Sequence, residues 1–467
     1  MELLNNFILQ FNDILWTYIL IALLLILGAY FTFRTKFVQF RYIKEMFRLL
    51  GDGFSAEKKK GSISSFQAFC ISTASRVGTG NLAGIAIAIS VGGPGAIFWM
   101  WLIALIGAAS SFVESTLAQI YKQKNADGSF RGGPAYYMEK GLNKRWMGVI
   151  FSILITIAFG LIFNSVQSNT ITLAFQDAFG VDRLVVGIIL TLITLFVIFG
   201  GVHRVAKVSE ILVPIMALTY IAVAIFILIL NITEVPSVIK LIFENAFGFK
   251  EIAGGTLGGA MLMGVKRGLF SNEAGMGSAP NAAATADVTH PVKQGLIQTL
   301  GVFTDTLIIC SCTAFIILLS GVDYTDGTIT GIQLTQKALS AEVGGWGNSF
   351  IAICILLFAF SSIVGNYYYG ESNIEFLTEK KSYLFIYRIF VIAMVFFGSV
   401  AEIQIVWNLA DVFMGLMAIV NLIAITLLSK QAFAALRDYT EQKRSGIKEP
   451  LFKSSSIPGL KNVSEWN

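Results

Sequence analysis

Residues Ser75 to Gly84 read SRVGTGNLAG, placing an arginine, three glycines and an asparagine inside an apolar run that extends from Phe66 to Val91. Gly78-x-Gly80-x-x-Ala83 satisfies the relaxed dinucleotide fingerprint, which carries meaning only after a strand and before a helix in a βαβ unit. The surrounding composition decides against that unit. Of 467 residues, 55% are hydrophobic and only 13% charged, far outside the soluble range. Apolar stretches near the length of a spanning helix recur along the chain, without the period-two alternation of a barrel strand. The class is therefore an all-α integral membrane protein.

Other classes fall away on the same grounds. The first apolar run, Ile14 to Phe33, has no Lys or Arg before it, and Arg34, Lys36, Arg41, Lys44 and Arg48 follow, so it is expected to be a retained transmembrane helix rather than a signal peptide. Cys70, Cys310, Cys312 and Cys354 lie in apolar runs, as packing residues do, and suggest neither a disulfide framework nor a zinc site. His203 and His290, the only histidines, are expected in loops, leaving few builders for a catalytic dyad. The net charge of +5 comes from basic residues beside apolar segments, a topological signal that gives nucleic-acid binding no support.

Eleven transmembrane helices are expected, at about 14–33, 66–91, 95–120, 147–177, 183–200, 208–231, 252–286, 293–320, 346–371, 383–400 and 402–429. Loops after the odd-numbered spans hold the basic clusters, from Arg34–Lys60 to Lys430–Lys461, so the N-terminus is expected outside and the C-terminus in the cytoplasm. Two spans are interrupted: the one containing Ser75 to Gly84, and the one containing GVKRGLFSNEAGMGSAP, Gly264 to Pro280. With the first span set aside, ten remain, in two groups of five that each begin with an interrupted helix. Five being odd, the second group starts from the opposite face, and paired interruptions of this kind point to a transporter site. The organisation expected is an N-terminal helix and basic loop (1–65), two five-helix repeats (66–231 and 252–429) and a tail (430–467), whose charged, Pro450- and Pro458-containing end is expected to be mobile and without a fold.

An unwound segment at membrane depth must line a cavity or be buried in protein. It frees amides at a helix N-terminus that suit a carboxylate, and carbonyls that suit a cation. The other reading of Gly78, Gly80 and Gly84 is close helix packing.

The motifs RVGTGN (Arg76–Asn81), GGPGAIFWMWL (Gly92–Leu102) and SNEAGMGSAP (Ser271–Pro280) resemble those of the alanine-or-glycine:cation symporter family, the resemblance extending from about Phe66 to Glu371. It implies a sodium-coupled amino-acid importer of a bacterial or archaeal cell membrane, not an enzyme, with one extra N-terminal helix before a LeuT-like 5+5 inverted repeat. Na+ is the coupling ion and no cofactor is implied. The resemblance places the carbonyls of Ala74, Val77 and Phe358 and the hydroxyls of Ser361 and Ser362 on a sodium ion, a five-oxygen set suited to a hard monovalent cation. A serine pair in a membrane helix has the alternative of bonding back to its own preceding turn.

For a small neutral amino acid such as alanine or glycine, Thr79, Gly80 and Asn81 are expected to offer amides to the α-carboxylate. Gln167, in the polar run Asn164–Asn169, is the best side-chain contact, with interhelical bonding as its alternative, and Met276 is a candidate wall. Asn366 departs from the Trp that follows Gly in many family members; a smaller, polar group there adds room and hydrogen-bonding capacity and makes glutamine a candidate substrate. The intramembrane charges Arg76, Glu114, Arg267 and Glu273 each call for a partner, and Arg76 is expected to pair with Glu273 or Glu114 at an inner gate. Glu273 and Asp305 keep proton coupling open, whereas a channel or a membrane enzyme finds no matching signature.

Overall fold

The structure is a computed structural model that describes residues 2–55, 62–125, 128–248, 257–325, 329–401 and 403–466. Lys58–Lys60 of the first basic loop and the start of the expected 252–286 span lie outside the described residues. Eight described helices are long and apolar enough to cross a membrane: α1 (Ile8–Arg34), α5 (Ala96–Ile120), α7 (Arg145–Phe179), α9 (Gly201–Leu230), α13 (Pro291–Leu319), α15 (Trp346–Leu377), α16 (Lys381–Val400) and α17 (Ile403–Arg444, apolar from Val406). Among the rest are the polar α2 (Ile43–Ser55), the halves α3 (Ser65–Arg76) and α4 (Gly80–Gly92), α6 (Pro134–Leu142), the 16-residue α8 (Arg183–Ile198), α10 (Val235–Ala246), α11 (Leu257–Asn272), α12 (Ala279–Ala283) and α14 (Gly331–Val343). Eight of the eleven expected spans therefore appear as single long helices. Two are split and α8 is short.

Local chemistry sets the boundaries. Ser64 and Gln67 form a reciprocal capping box that starts α3. His290 caps α13, its ring nitrogen accepting from the Val292 amide with Pro291 next, and His203 lies in the first turn of α9 rather than in a loop. Large apolar side chains face outward along α8, α9 and α16, for example Leu192, Phe196, Leu218, Ile229 and Phe390, whereas Ser, Thr, Asn, Gln and Glu side chains are buried in number. That distribution places lipid outside and polar function inside.

Packing falls into two groups. Helix α5 lies against α11, α13 and α1, and α7 lies against α15 and α16, with α8 on α16. Helix α3 touches both α13 and α15, so the interruption at its end sits where the groups meet.

The end of the chain is docked. Phe452 N–H donates to Thr289 O (2.9 Å), Trp466 Nε1 donates to Gln119 O (2.8 Å), and Asn462 Nδ2 donates to Lys140 O (3.0 Å). Phe452, Ile457 and Trp466 are buried, and α17 continues to Arg444. The expectation of a free tail fails because these three apolar anchors, irregularly spaced, find a surface on the ends of α5 and α6 and the 284–290 loop.

Candidate functional site

The first break is narrow. Val77 leaves the helix with φ −81° and ψ 93°, and the chain re-enters a helix at Gly80 through wide π turns to Gly84. Neither Gly78 nor Gly80 takes a left-handed φ. Their lack of a side chain serves close approach instead: a Cβ on Gly80 would stand 2.9 Å from a Phe270 ring carbon, and one on Gly78 2.8 Å from Gln167 Oε1 and against Ser362 Oγ. The glycines thus allow α7, α11 and α15 to converge on opened backbone.

Thr79, Asn81 and Gln167 of the expected substrate residues join Gly80 in this convergence. Gln167 Oε1 accepts from Thr79 N–H (3.0 Å) and Thr79 Oγ1 (2.7 Å), so a side-chain oxygen occupies the amide expected to meet a carboxylate. Asn81 turns its amide to Gly78 O (3.2 Å), and its side chain straps the break, accepting from Gly78 N–H (2.8 Å) and donating to Asp305 Oδ1 (2.7 Å). Asp305 also accepts from Ser271 Oγ (2.8 Å) and Thr306 Oγ1 (2.9 Å).

The five oxygens of the expected cation set come together between α3 and α15. Ser362 Oγ lies 2.9 Å from Ala74 O, 3.3 Å from Val77 O and 3.0 Å from Phe358 O; Ser361 Oγ lies 3.4 Å from Ala74 O and 2.8 Å from Phe358 O. Both hydroxyls bond back to the preceding turn, and both also reach across to α3. All five residues are fully buried.

The second break has its own ligand. Glu273, Gly275 and Gly277 all take left-handed φ, at 57°, 84° and 88°. This alternation turns the amides of Gly275 and Gly277 toward Glu114 of α5, whose two carboxyl oxygens accept from them at 3.1 Å each; Asn421 Nδ2 adds a bond at 2.7 Å. Glu273 accepts from Ser75 Oγ (2.8 Å) and Ser278 Oγ, and Met276 is buried in the same turn. The partner expected for Arg76 is corrected here: Glu114 and Glu273 are engaged by these donors, and Arg76 donates to Gln298 O (3.2 Å) and Ser111 Oγ (3.4 Å). Asn366 reaches the group through Ser75, whose Oγ lies 2.7 Å from its Oδ1.

Toward the start of α17 the site is roofed. Arg267 and Lys266 both pair with Asp411 Oδ2, at 2.7 and 2.8 Å, and Arg267 lies 4.7 Å from the Trp407 ring centre. Phe270 stacks on Phe163 and lies tilted against Trp407, the ring centroids 4.7 Å apart in each pair. Ser75, Phe163, Phe270, Ser271 and Asp411 were not singled out by sequence. The one signal that brings most of them in is the recurrence of Gly-x-Gly in both breaks, which makes the residues flanking Gly275 equivalent in interest to those flanking Gly78.

The model of the sodium:alanine symporter family matches residues 1–454. A Bacillus subtilis (strain 168) protein named probable sodium/glutamine symporter GlnT is 62% identical over 455 residues, covering 97% of this chain and 94% of the relative. The amino-acid carrier protein AlsT of the same organism is 58% identical, covering 97% and 96%, and the sodium/alanine symporter AgcS of Methanococcus maripaludis is 38% identical, covering 94% and 97%. Among solved structures, an Eremococcus coleocola manganese transporter is similar in fold, with a TM-score of 0.53 at 12% identity, covering 82% of this chain and 89% of that one.

Proposed function

The chain belongs to the sodium:alanine symporter family, a family of multi-pass membrane transporters and not enzymes, and from that premise we propose that it imports a small neutral amino acid together with Na+ by alternating access. The observation that carries this reading is the meeting of Ala74 O, Val77 O, Phe358 O and the hydroxyls of Ser361 and Ser362. Five neutral oxygens from two helices, one of them broken, suit Na+ and make its binding depend on how α3 sits against α15. The ion's charge then favours a carboxylate at the adjacent break. There the α-carboxylate takes the Thr79 amide, displacing Gln167 Oε1, with Gly80 leaving room for its approach and Asn81 holding the turn open toward it.

On the orientation with the N-terminus outside, the Arg267–Asp411 pair and the Phe163–Phe270–Trp407 stack close the outer path, and the docked tail lies at the inner ends. The two five-helix repeats, 66–231 and 252–429, belong to this proposal as the halves of a LeuT-like arrangement, each opening with its broken helix. Alanine and glycine are the substrates in keeping with the family's name. Glutamine is favoured by the 62% identical relative and by the polar Asn366 at the site.

Sodium-driven uptake into proteoliposomes tests the reading. Ser361→Ala and Ser362→Ala each remove one of five ligands and are expected to raise the Na+ concentration for half-maximal uptake by about tenfold or more. Unchanged Na+ dependence in both, in protein that remains folded, overturns the site.

A further inference from the structure

The interior beside the first break is incompletely paired. Ser75 Oγ lies 2.8 Å from Glu273 Oε1 and 2.7 Å from Asn366 Oδ1, but a hydroxyl has one proton and serves one of these acceptors at a time. Asn366 Nδ2 has no hydrogen-bond partner among the described residues, although Asn366 is 1% exposed. A deeply buried amide N–H is thus left open, which native interiors rarely tolerate.

Through Ser75, that amide is linked to a group of fixed chemistry. Glu273 is bonded by Ser75 and Ser278, two neutral hydroxyls, and its left-handed backbone (φ 57°) holds it in the turn of the second break. Asn366 comes from α15, Glu273 from the turn between α11 and α12, and Ser75 from the end of α3 just before the residues proposed to receive the α-carboxylate. Three separate elements thus direct one amide, one carboxyl and one hydroxyl to a common point.

We propose that Ser75, Glu273 and Asn366 form the side-chain subsite and that it selects a primary carboxamide, as in glutamine or asparagine, over an apolar or acidic side chain. A carboxamide carries one acceptor and two donors. Its oxygen complements Asn366 Nδ2, and an N–H remains for Glu273. Alanine and glycine leave both groups as they are. Glutamate lacks the donor for Glu273 and sets a second carboxylate beside it, which a desolvated site disfavours. Discrimination of this kind is strong because the penalty falls on buried groups left unpaired. The inference rests on the proposed placement of the α-carboxylate at the first break.

The test uses the full-length protein in proteoliposomes with a Na+ gradient and labelled glutamine, asparagine, alanine and glutamate. Wild-type protein should favour a carboxamide substrate over alanine and glutamate by about tenfold to a hundredfold in kcat/KM. 5-Oxonorleucine, in which a methyl group replaces the carboxamide NH2 so that the size of glutamine is kept while the side chain has no N–H donor, should compete for its uptake at least about tenfold more weakly than glutamine does. Asn366→Leu should lower the glutamine-to-alanine ratio of kcat/KM toward one. Should that variant be inactive, the ketone comparison in the wild type decides alone. Equal competition by glutamine and the ketone, or an unchanged ratio in Asn366→Leu, overturns the subsite while leaving sodium-coupled transport in place. Absence of sodium-driven uptake of any of the four amino acids would instead defeat the underlying transport reading, a result distinct from loss of selectivity.

Discussion

Gly80 shows how much a single residue decides. Its backbone is ordinary in φ, so the constraint is space: Phe270 and Ser271 stand where a Cβ would go, at 2.9 and 3.3 Å. Gly80→Ala is expected to weaken substrate binding, overpacking costing about 1–3 kcal/mol, and Gly80→Leu to abolish it. Calorimetry on purified variants checks this, with near-normal affinity in the Leu variant as the contrary result. At this scale the sequence was legible where residues are neighbours along the chain. RVGTGN and the adjacent Ser361 and Ser362 are local patterns, and the meeting of Ala74, Val77, Phe358, Ser361 and Ser362 is what the family resemblance they carry implied. Glu114 was not legible in the same way, because its partners Gly275, Gly277 and Asn421 lie 161 to 307 residues away. Arg76 was paired with carboxylates on charge alone, and charge does not reveal that those carboxylates are already engaged by amides and hydroxyls.

Between elements, α2 and α17 are joined by one clasp. Glu45 accepts from Tyr439 Oη (2.6 Å) and pairs with Arg48 (2.8 Å) and Lys443 (3.2 Å). Burial works against the charged carboxyl, yet hydrogen bonds from Arg48, Tyr439 and Lys443 outweigh it and hold its pKa at about 2. An acid whose folded pKa is depressed stabilises the fold fully above its unfolded value, about 4.5, and loses that contribution as pH falls toward about 2. The melting temperature of Glu45→Gln should therefore lie below that of the wild type by a constant margin between about pH 5 and 7. Below about pH 4.5 the margin should narrow; a gap independent of pH in the acid range would show that the clasp carries no charge. The long helices were legible because hydropathy over some twenty residues needs no partner to interpret. Helices α2, α10 and α14 were not, since a polar amphipathic stretch between spans looks like a loop until the surface it covers is known.

Across the whole molecule, the site lies between a roof near the start of α17 and a docked segment near its other end. Trp466 holds that segment, its indole bonded to Gln119 O and its ring 4.7 Å from Lys122 Nζ, while Phe452 ties it to Thr289 in the loop that leads into α13. Trp466→Ala should release the segment and speed backbone hydrogen exchange in the 284–290 loop by about tenfold or more, measured by mass spectrometry; unaltered exchange would mean that Phe452 and Ile457 suffice. Composition alone hid this contact, because docking by three scattered anchors has no period to detect. Glu114 has a different consequence. Its side chain sits on the Gly275 and Gly277 amides as a tethered acetate would, a resident counter-ligand in one break opposite the break proposed to take its carboxylate from solution. A part held by such bonds is replaceable: Glu114→Ala should silence uptake, and millimolar acetate or formate supplied from outside should revive it, whereas neither ought to revive Ser362→Ala. Such a rescue would show that the second break needs a carboxylate for transport, one that the chain itself supplies.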